Sequence, residues 1–176
     1  MRTMADDLTT ILHAARPHPS LGDDAWLFDR FVGTWDTDYT HFGTDGAVSE
    51  RFAGEVIFGW ILDGRAMQDV WIAYPRGERK ERSIGTSIRF FDANAGLWNV
   101  IWISPEGSIV TTVRGGAVGD RIVLEGENLD GSRRRWSFND IGPDSFTWRG
   151  EGSTDQGTTW HASAEYHMTR RSGTPR

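Results

Sequence analysis

From Thr34 onward no stretch carries a helical period. Short runs rich in β-branched and aromatic residues alternate instead with Gly, Asp, Asn and Pro. The runs predict strands at about 34–42, 48–61, 65–74, 83–91, 97–104, 108–114, 120–128, 133–140, 145–151 and 158–169. Most links between them are short, such as 62–65, 92–96, 105–107 and 142–144. Short links make consecutive strands antiparallel neighbours. About ten such strands curl and close, which also removes exposed sheet edges. All six prolines lie outside the strand interiors, as a hydrogen-bonded ladder requires. The expected fold is all-β: a closed antiparallel up-and-down β-barrel of about ten strands, after one or two short N-terminal helices.

The first of these helices is expected within 3–15, where Leu8, Ile11, Leu12 and Ala15 have helical spacing and Thr3 is placed as N-cap. Arg16-Pro17-His18-Pro19 ends it. A second helix is expected from Asp24 to Val32, with Asp23 as N-cap and Gly33 at its C-terminal cap. The implied organisation is a helical extension over 1–20, a barrel over 21–170 and a loose tail over 171–176. The two prolines suggest an extension detached from the second helix and dispensable for the barrel.

At 176 residues the chain fits one domain with a sizeable core. It has no cysteine, which removes disulfides, thiolate catalysis and Cys-ligated metals. Its net charge is −6 with scattered basic residues, unlike a nucleic-acid binder, which needs a positive surface to release phosphate counterions. No apolar run approaches membrane-spanning length, and 1–7 does not resemble a signal peptide. These features lead to an expected cytoplasmic location without nucleic-acid or membrane partners.

Nine tryptophans stand out against three tyrosines. Eight of them, all but Trp26, fall in the expected strands. One small core does not readily absorb that many indoles, since each N–H also needs a partner. Some are therefore expected to wall a cavity.

Phe31-Val32-Gly33-Thr34-Trp35, a short helix running into Gly-x-Trp, resembles the start of calycin (lipocalin-like) barrels. That resemblance implies that Trp35 plugs one end. Trp60 to Arg65, Gly85 through Phe91-Asp92, Trp98 to Ser104 and Glu165-Tyr166-x-x-x-Arg170 resemble the bacterial domain-of-unknown-function family 1579. The resemblance spans about 25–170 and implies a fold more than an activity. Haem-binding nitrobindins, a nearby branch, carry Gly-x-Trp-x-Gly-x-Gly. Here the second and third glycines are replaced in Trp35-Asp36-Thr37-Asp38-Tyr39, so haem is disfavoured and no cofactor is expected.

A two-residue turn at Asp63-Gly64 would fix the next hairpin. It sets Trp60 opposite Met67, Phe58 opposite Asp69 and Val56 opposite Trp71 on one face. Gly59 with Gln68, Ile57 with Val70 and Glu55 with Ile72 share the other. Both faces are half apolar, which points to a cavity with some polar wall. The first face is taken as inward, making Asp69 an inward carboxylate. On the last strand Trp160, Ala162, Ala164, Tyr166 and Met168 share one face, and His161, Ser163, Glu165 and His167 the other. The apolar set is the natural inward one; the alternative is a polar wall of His161, Glu165 and His167 able to exchange protons. His161 and His167 lie roughly 20 Å apart along an extended strand, too far to share a metal, and no metal site is expected.

The leading expectation is a barrel that binds a small hydrophobic or aromatic ligand through Phe58, Trp60, Met67, Trp71, Trp98, Trp102, Trp136, Trp148 and Tyr166. The alternative is a cofactor-independent cyclase, isomerase or lyase in which Asp69, Tyr39, His161, Glu165 or His167 moves a proton. A third is a structural or interaction module. A homodimer, with the N-terminal helix as contact element, is also an expectation.

Overall fold

The computed structural model describes residues 7–128 and 130–173. Ten strands close into one antiparallel barrel: β1 (Gly33–Phe42), β2 (Val48–Ile61), β3 (Ala66–Ala73), β4 (Ser83–Asp92), β5 (Leu97–Ser104), β6 (Ile109–Val118), β7 (Arg121–Glu127), β8 (Arg133–Asn139), β9 (Ser145–Ser153) and β10 (His161–Arg170). Each strand pairs with its sequence neighbours, and β1 pairs with β10 to close the ring. The strand expectations hold to within a few residues. Trp160 is an exception, because it lies in the link just before β10.

The Asp63-Gly64 turn sets the expected register: Trp60 opposite Met67, Phe58 opposite Asp69 and Val56 opposite Trp71. Asp63 and Gly64 both have positive φ, at 55° and 79°, as a type I′ turn requires. Trp60, Phe58, Met67 and Asp69 are buried, so the chosen face is inward.

The helices are shorter than expected. The first, α1 (Leu8–Ile11), is capped by the Asp7 carboxylate, which accepts from the Thr10 amide at 2.8 Å. The proposed Thr3 cap lies outside the described residues. Instead of one helix from Asp24, a 3-10 helix (Pro19–Ala25) runs into α2 (Trp26–Asp29). Positive φ at Gly22 kinks that 3-10 segment. Together these segments plug the lower end of the barrel with Phe28 and Phe31, both buried against Trp98, Phe138 and Phe146.

The N-terminal segment, expected to be detached from the second helix and dispensable, is hydrogen-bonded to the barrel itself. The Ala14 amide donates to the Trp60 carbonyl at 2.8 Å, and His18 to that of Gly64 at 2.9 Å. The Leu62 amide also donates to the Ile11 carbonyl at 3.3 Å, so residues 11–18 are fastened to the β2–β3 hairpin, although the side chains of Leu8, Ile11 and Leu12 stay exposed. Removing residues 1–10 is expected to leave the melting temperature within a few degrees of the full chain. Removing 1–18 is expected to lower it further by exposing the hairpin end; equal melting temperatures for the two truncations would count against the fastening.

The start of the expected loose tail is also held. The Arg171 amide donates to the Thr34 carbonyl at 2.9 Å, and its guanidinium meets Asp36 and Glu55. Residues 174–176 lie outside the described residues.

Candidate functional site

Above the plug the barrel holds a cavity of about 470 Å³, open at the end opposite α2. Its size suits a small organic molecule. Two aromatic walls face one another. On one side Trp71 of β3 and Trp102 of β5 meet edge to face at 6.0 Å. On the other, Trp148 of β9 stacks on Tyr166 of β10 at 4.5 Å and meets Trp136 of β8 at 5.7 Å. Gly85 makes the first wall possible: a Cβ there would run into the Trp102 indole. Phe58 and Phe138 form the floor.

Six of the nine expected ligand contacts line this cavity: Phe58, Trp71, Trp102, Trp136, Trp148 and Tyr166. Trp60, Met67 and Trp98 do not. They point inward but lie below the floor, where Trp60 donates to Asp29 at 2.7 Å and Trp98 packs on Phe28. The plug fills that end of the barrel, so an inward position there is core and not cavity wall.

Asp69 does line the cavity, paired with a residue the sequence reading missed. The Arg89 guanidinium of β4 forms a buried ion pair with it, and the Asp69 carboxylate also accepts from the Ser87 amide at 3.3 Å. The pair is nearly inaccessible, at 6% exposure for Asp69 and 2% for Arg89. Burial pushes the Asp69 carboxyl above its ordinary pKa, while Arg89 and Ser87 pull it back. Arg89 is sandwiched between the rings of Phe28 and Phe58, at 4.9 and 5.2 Å. Among the described residues its Nε and Nη1, and the Trp71 Nε1, are buried donors without a hydrogen-bond partner.

The other acid–base candidates are not brought to the cavity. Tyr39 is buried, and its hydroxyl lies 3.2 Å from the backbone carbonyls of Glu55 and Ile72. Burial drives its pKa upward, opposite to what a proton donor at neutral pH needs. Glu165 and His167 lie on the outer face of β10, and His161, exposed beyond the bulge at Ala162–Ala164, does not line the cavity. Glu165 there sits 3.5 Å from Arg149 and 3.4 Å from His167, so the polar-wall alternative for this strand is not realised. A bulge between Ala162 and Ala164 instead brings Ser163 to the cavity rim. No cluster of three or more His, Cys, Asp or Glu suited to a metal occurs among the described residues.

One histidine does reach the cavity. His41 at the mouth of β1 lies 3.3 Å from the Tyr166 hydroxyl and edge-on to Phe52. Burial lowers its pKa; Glu50 of β2 opposes this, and Arg76 of the β3–β4 link adds to it. A base with a lowered folded pKa takes up its proton more readily in the unfolded chain. Its contribution to stability is therefore present above about 6.5 and lost as pH falls through the folded value. Between pH 7.5 and 5, the wild type is expected to lose more stability than His41→Gln; equal losses in urea titrations would refute this.

No protein-family model matches the chain, and no curated protein does. Solved structures do match. The S-type phycobiliprotein lyase CPES from Guillardia theta aligns with a TM-score of 0.60 at 12% identity, over 82% of this chain and 90% of that one. A redesigned β-barrel aligns with a TM-score of 0.46 at 11% identity, over 82% and 95% of the two chains. A de novo designed fluorescence-activating β-barrel gives 0.40 at 14% identity, over 85% and 98%. At 12% identity the likeness to the lyase is one of fold.

Proposed function

We propose that this barrel is a calycin-like binding protein that takes up a small hydrophobic or aromatic molecule. The observation that carries this reading is the open cavity of about 470 Å³ between two aromatic walls. A barrel serving only as a structural module gains nothing from leaving that volume unfilled, because unpacked space forfeits dispersion energy. The ligand is buried against Trp71, Trp102, Trp136 and Trp148, and the Asp69–Arg89 pair near the floor orients it.

Titration with hydrophobic dyes, fatty acids, haem and polycyclic aromatics is expected to give at least one saturable, stoichiometric quenching of tryptophan fluorescence. Trp102→Leu is expected to weaken that binding about 2- to 10-fold, matching the ~0.5–1.5 kcal/mol of a well-placed ring contact. Its melting temperature should change little, since Trp102 is only partly buried. If no panel member binds below ~1 mM, or ~4 kcal/mol, the ligand-barrel reading fails.

A second reading, a cofactor-independent cyclase, isomerase or lyase, draws on one observation. Asp69 is a cavity carboxylate whose burial favours the protonated form. The ion pair with Arg89 opposes it, because a carboxylate held by a guanidinium is a poor mobile base. The structural neighbour named a phycobiliprotein lyase shares the fold and assigns no reaction here.

A further inference from the structure

Three charged side chains line the cavity: Asp69, Arg89 and Arg134. Asp69 and Arg89 cancel in their ion pair. Burial favours the neutral form of His41 at the mouth. The lining therefore carries one uncompensated positive charge, in a chain whose net charge is −6. Among the described residues no acid but Asp69 lines the cavity.

Arg134 stands at the mouth end of β8. It lies two residues above Trp136 and four above the floor residue Phe138, on the same inward face. Its register partners on both sides are glycines, Gly126 of β7 and Gly152 of β9. No side chain directly across from it therefore shields or neutralises the guanidinium. Arg134 is partly buried, and among the described residues its side chain makes no hydrogen bond or ion pair. Its electrostatic neighbour is Asp130 of the β7–β8 link. Ser132 holds the Asp130 carboxyl below its ordinary pKa, and Arg134 adds to this. Asp130 is exposed and already accepts from the Ser132 hydroxyl and amide at 2.6 and 2.9 Å, so water screens it from Arg134. Two other arginines at this end of the barrel are paired, Arg76 with Glu50 and Arg79 with Glu106, each at 2.6 Å.

A cation at the mouth of a low-dielectric, aromatic-walled cavity favours a ligand of negative charge. The floor does not compete for that charge. Arg89 has unpartnered donors there, but it is only 2% exposed and is neutralised by Asp69, whose carboxylate repels an anion. From Phe138 to Arg134 is ~13 Å along the strand, or ~10 Å along the axis at the ~40° tilt of a closed barrel. That depth suits two or three fused rings beneath the charged group.

We propose that the ligand is a flat aromatic carboxylic acid of two or three rings. Its rings lie between the tryptophan walls and its carboxylate points outward onto Arg134. This rests on the cavity being a ligand site and adds the ligand's charge and orientation. The Arg134 guanidinium donates two parallel N–H bonds to the carboxylate oxygens, the geometry that makes such pairs strong.

Tryptophan quenching by 2-anthracenecarboxylate, its neutral carboxamide and the cationic 2-(aminomethyl)anthracene at pH 7.5 tests it. The wild type is expected to bind the acid at least ~10-fold more tightly than the carboxamide, and the amine most weakly. Arg134→Gln is expected to lower the affinity for the acid to that for the carboxamide. Carboxamide binding should stay within ~2-fold of wild type, which also shows that the variant is folded. Arg133→Gln removes the neighbouring charge, which does not line the cavity, and should keep the preference for the acid. An acid bound no more tightly than the carboxamide by the wild type would overturn the inference. So would a preference that survives Arg134→Gln, an equal loss of both probes in that variant, or an equal loss of preference in Arg133→Gln. Wild-type binding of the carboxamide in any of these cases leaves the ligand-barrel reading standing. If no probe binds below ~1 mM, both fail.

Discussion

Trp35→Ala is expected to destabilise the protein by about 3–5 kcal/mol, the usual cost of truncating a large core aromatic. Trp35 is fully buried at the closed end of the barrel. Its indole N–H donates to the Phe31 carbonyl at 2.7 Å, and Phe146 packs edge-on against its ring at 4.7 Å. Arg170 lies over the other side, and its guanidinium donates to the carbonyls of Arg30 and Val32 at 2.6 and 2.7 Å. One indole therefore joins the plug, the first strand and the last strand. For a domain of this size the loss corresponds to a fall of roughly 6–20 °C in Tm. Trp35→Phe keeps most of the ring and loses the N–H, so an intermediate fall is expected. An unchanged denaturation midpoint for Trp35→Ala would show that the plug does not depend on it.

Arg89→Met is expected to cost a similar ~3–5 kcal/mol, for a different reason. It leaves the Asp69 carboxylate buried among aromatic rings with its counter-charge gone. A compensating Asp69→Leu on the same chain should recover most of the loss, because replacing both members of a buried pair by apolar groups is often nearly neutral. The pH dependence separates this from a simple packing defect. Without Arg89, only Ser87 still opposes burial at Asp69, and its folded pKa rises further above the ordinary 3.8. A carboxyl with a raised folded pKa lends stability at low pH and loses it as pH rises through the folded value. The deficit of Arg89→Met relative to wild type should therefore be largest at neutral pH and shrink as pH falls toward 3.8. A deficit constant with pH would mean that Arg89 contributes packing alone.

Strand β4 marks the boundary of what the sequence reading could reach. Its residues alternate Ser83, Gly85, Ser87, Arg89 with Ile84, Thr86, Ile88, Phe90. Hydrophobic alternation alone would turn the isoleucine face inward. The structure turns it outward and buries the serines and Arg89. The ladder to β3 sets this choice, since Ser87 lies opposite the inward Asp69 and Arg89 opposite Met67. On the β2–β3 hairpin the opposite outcome holds: the chosen face is inward and carries the polar wall residue Asp69, while Ile57 and Val70 of the other face point outward.

The amino-acid order by itself determined the strand number, the antiparallel connectivity and the β2–β3 register. These are local properties: side-chain period, proline placement and a two-residue turn that admits one pairing. It also singled out Trp71, Trp102, Trp136 and Trp148, because an excess of indoles has few places to go in a small barrel. Tertiary structure alone decided which inward residues meet empty space and which meet the plug, and so removed Trp60, Met67 and Trp98 from the wall. It also decided the pairing of Asp69 with Arg89. The nine-residue link 74–82 between β3 and β4 leaves their relative register open until the ring closes. A long link allows several registers at similar entropic cost, and only the packing of the closed barrel chooses among them.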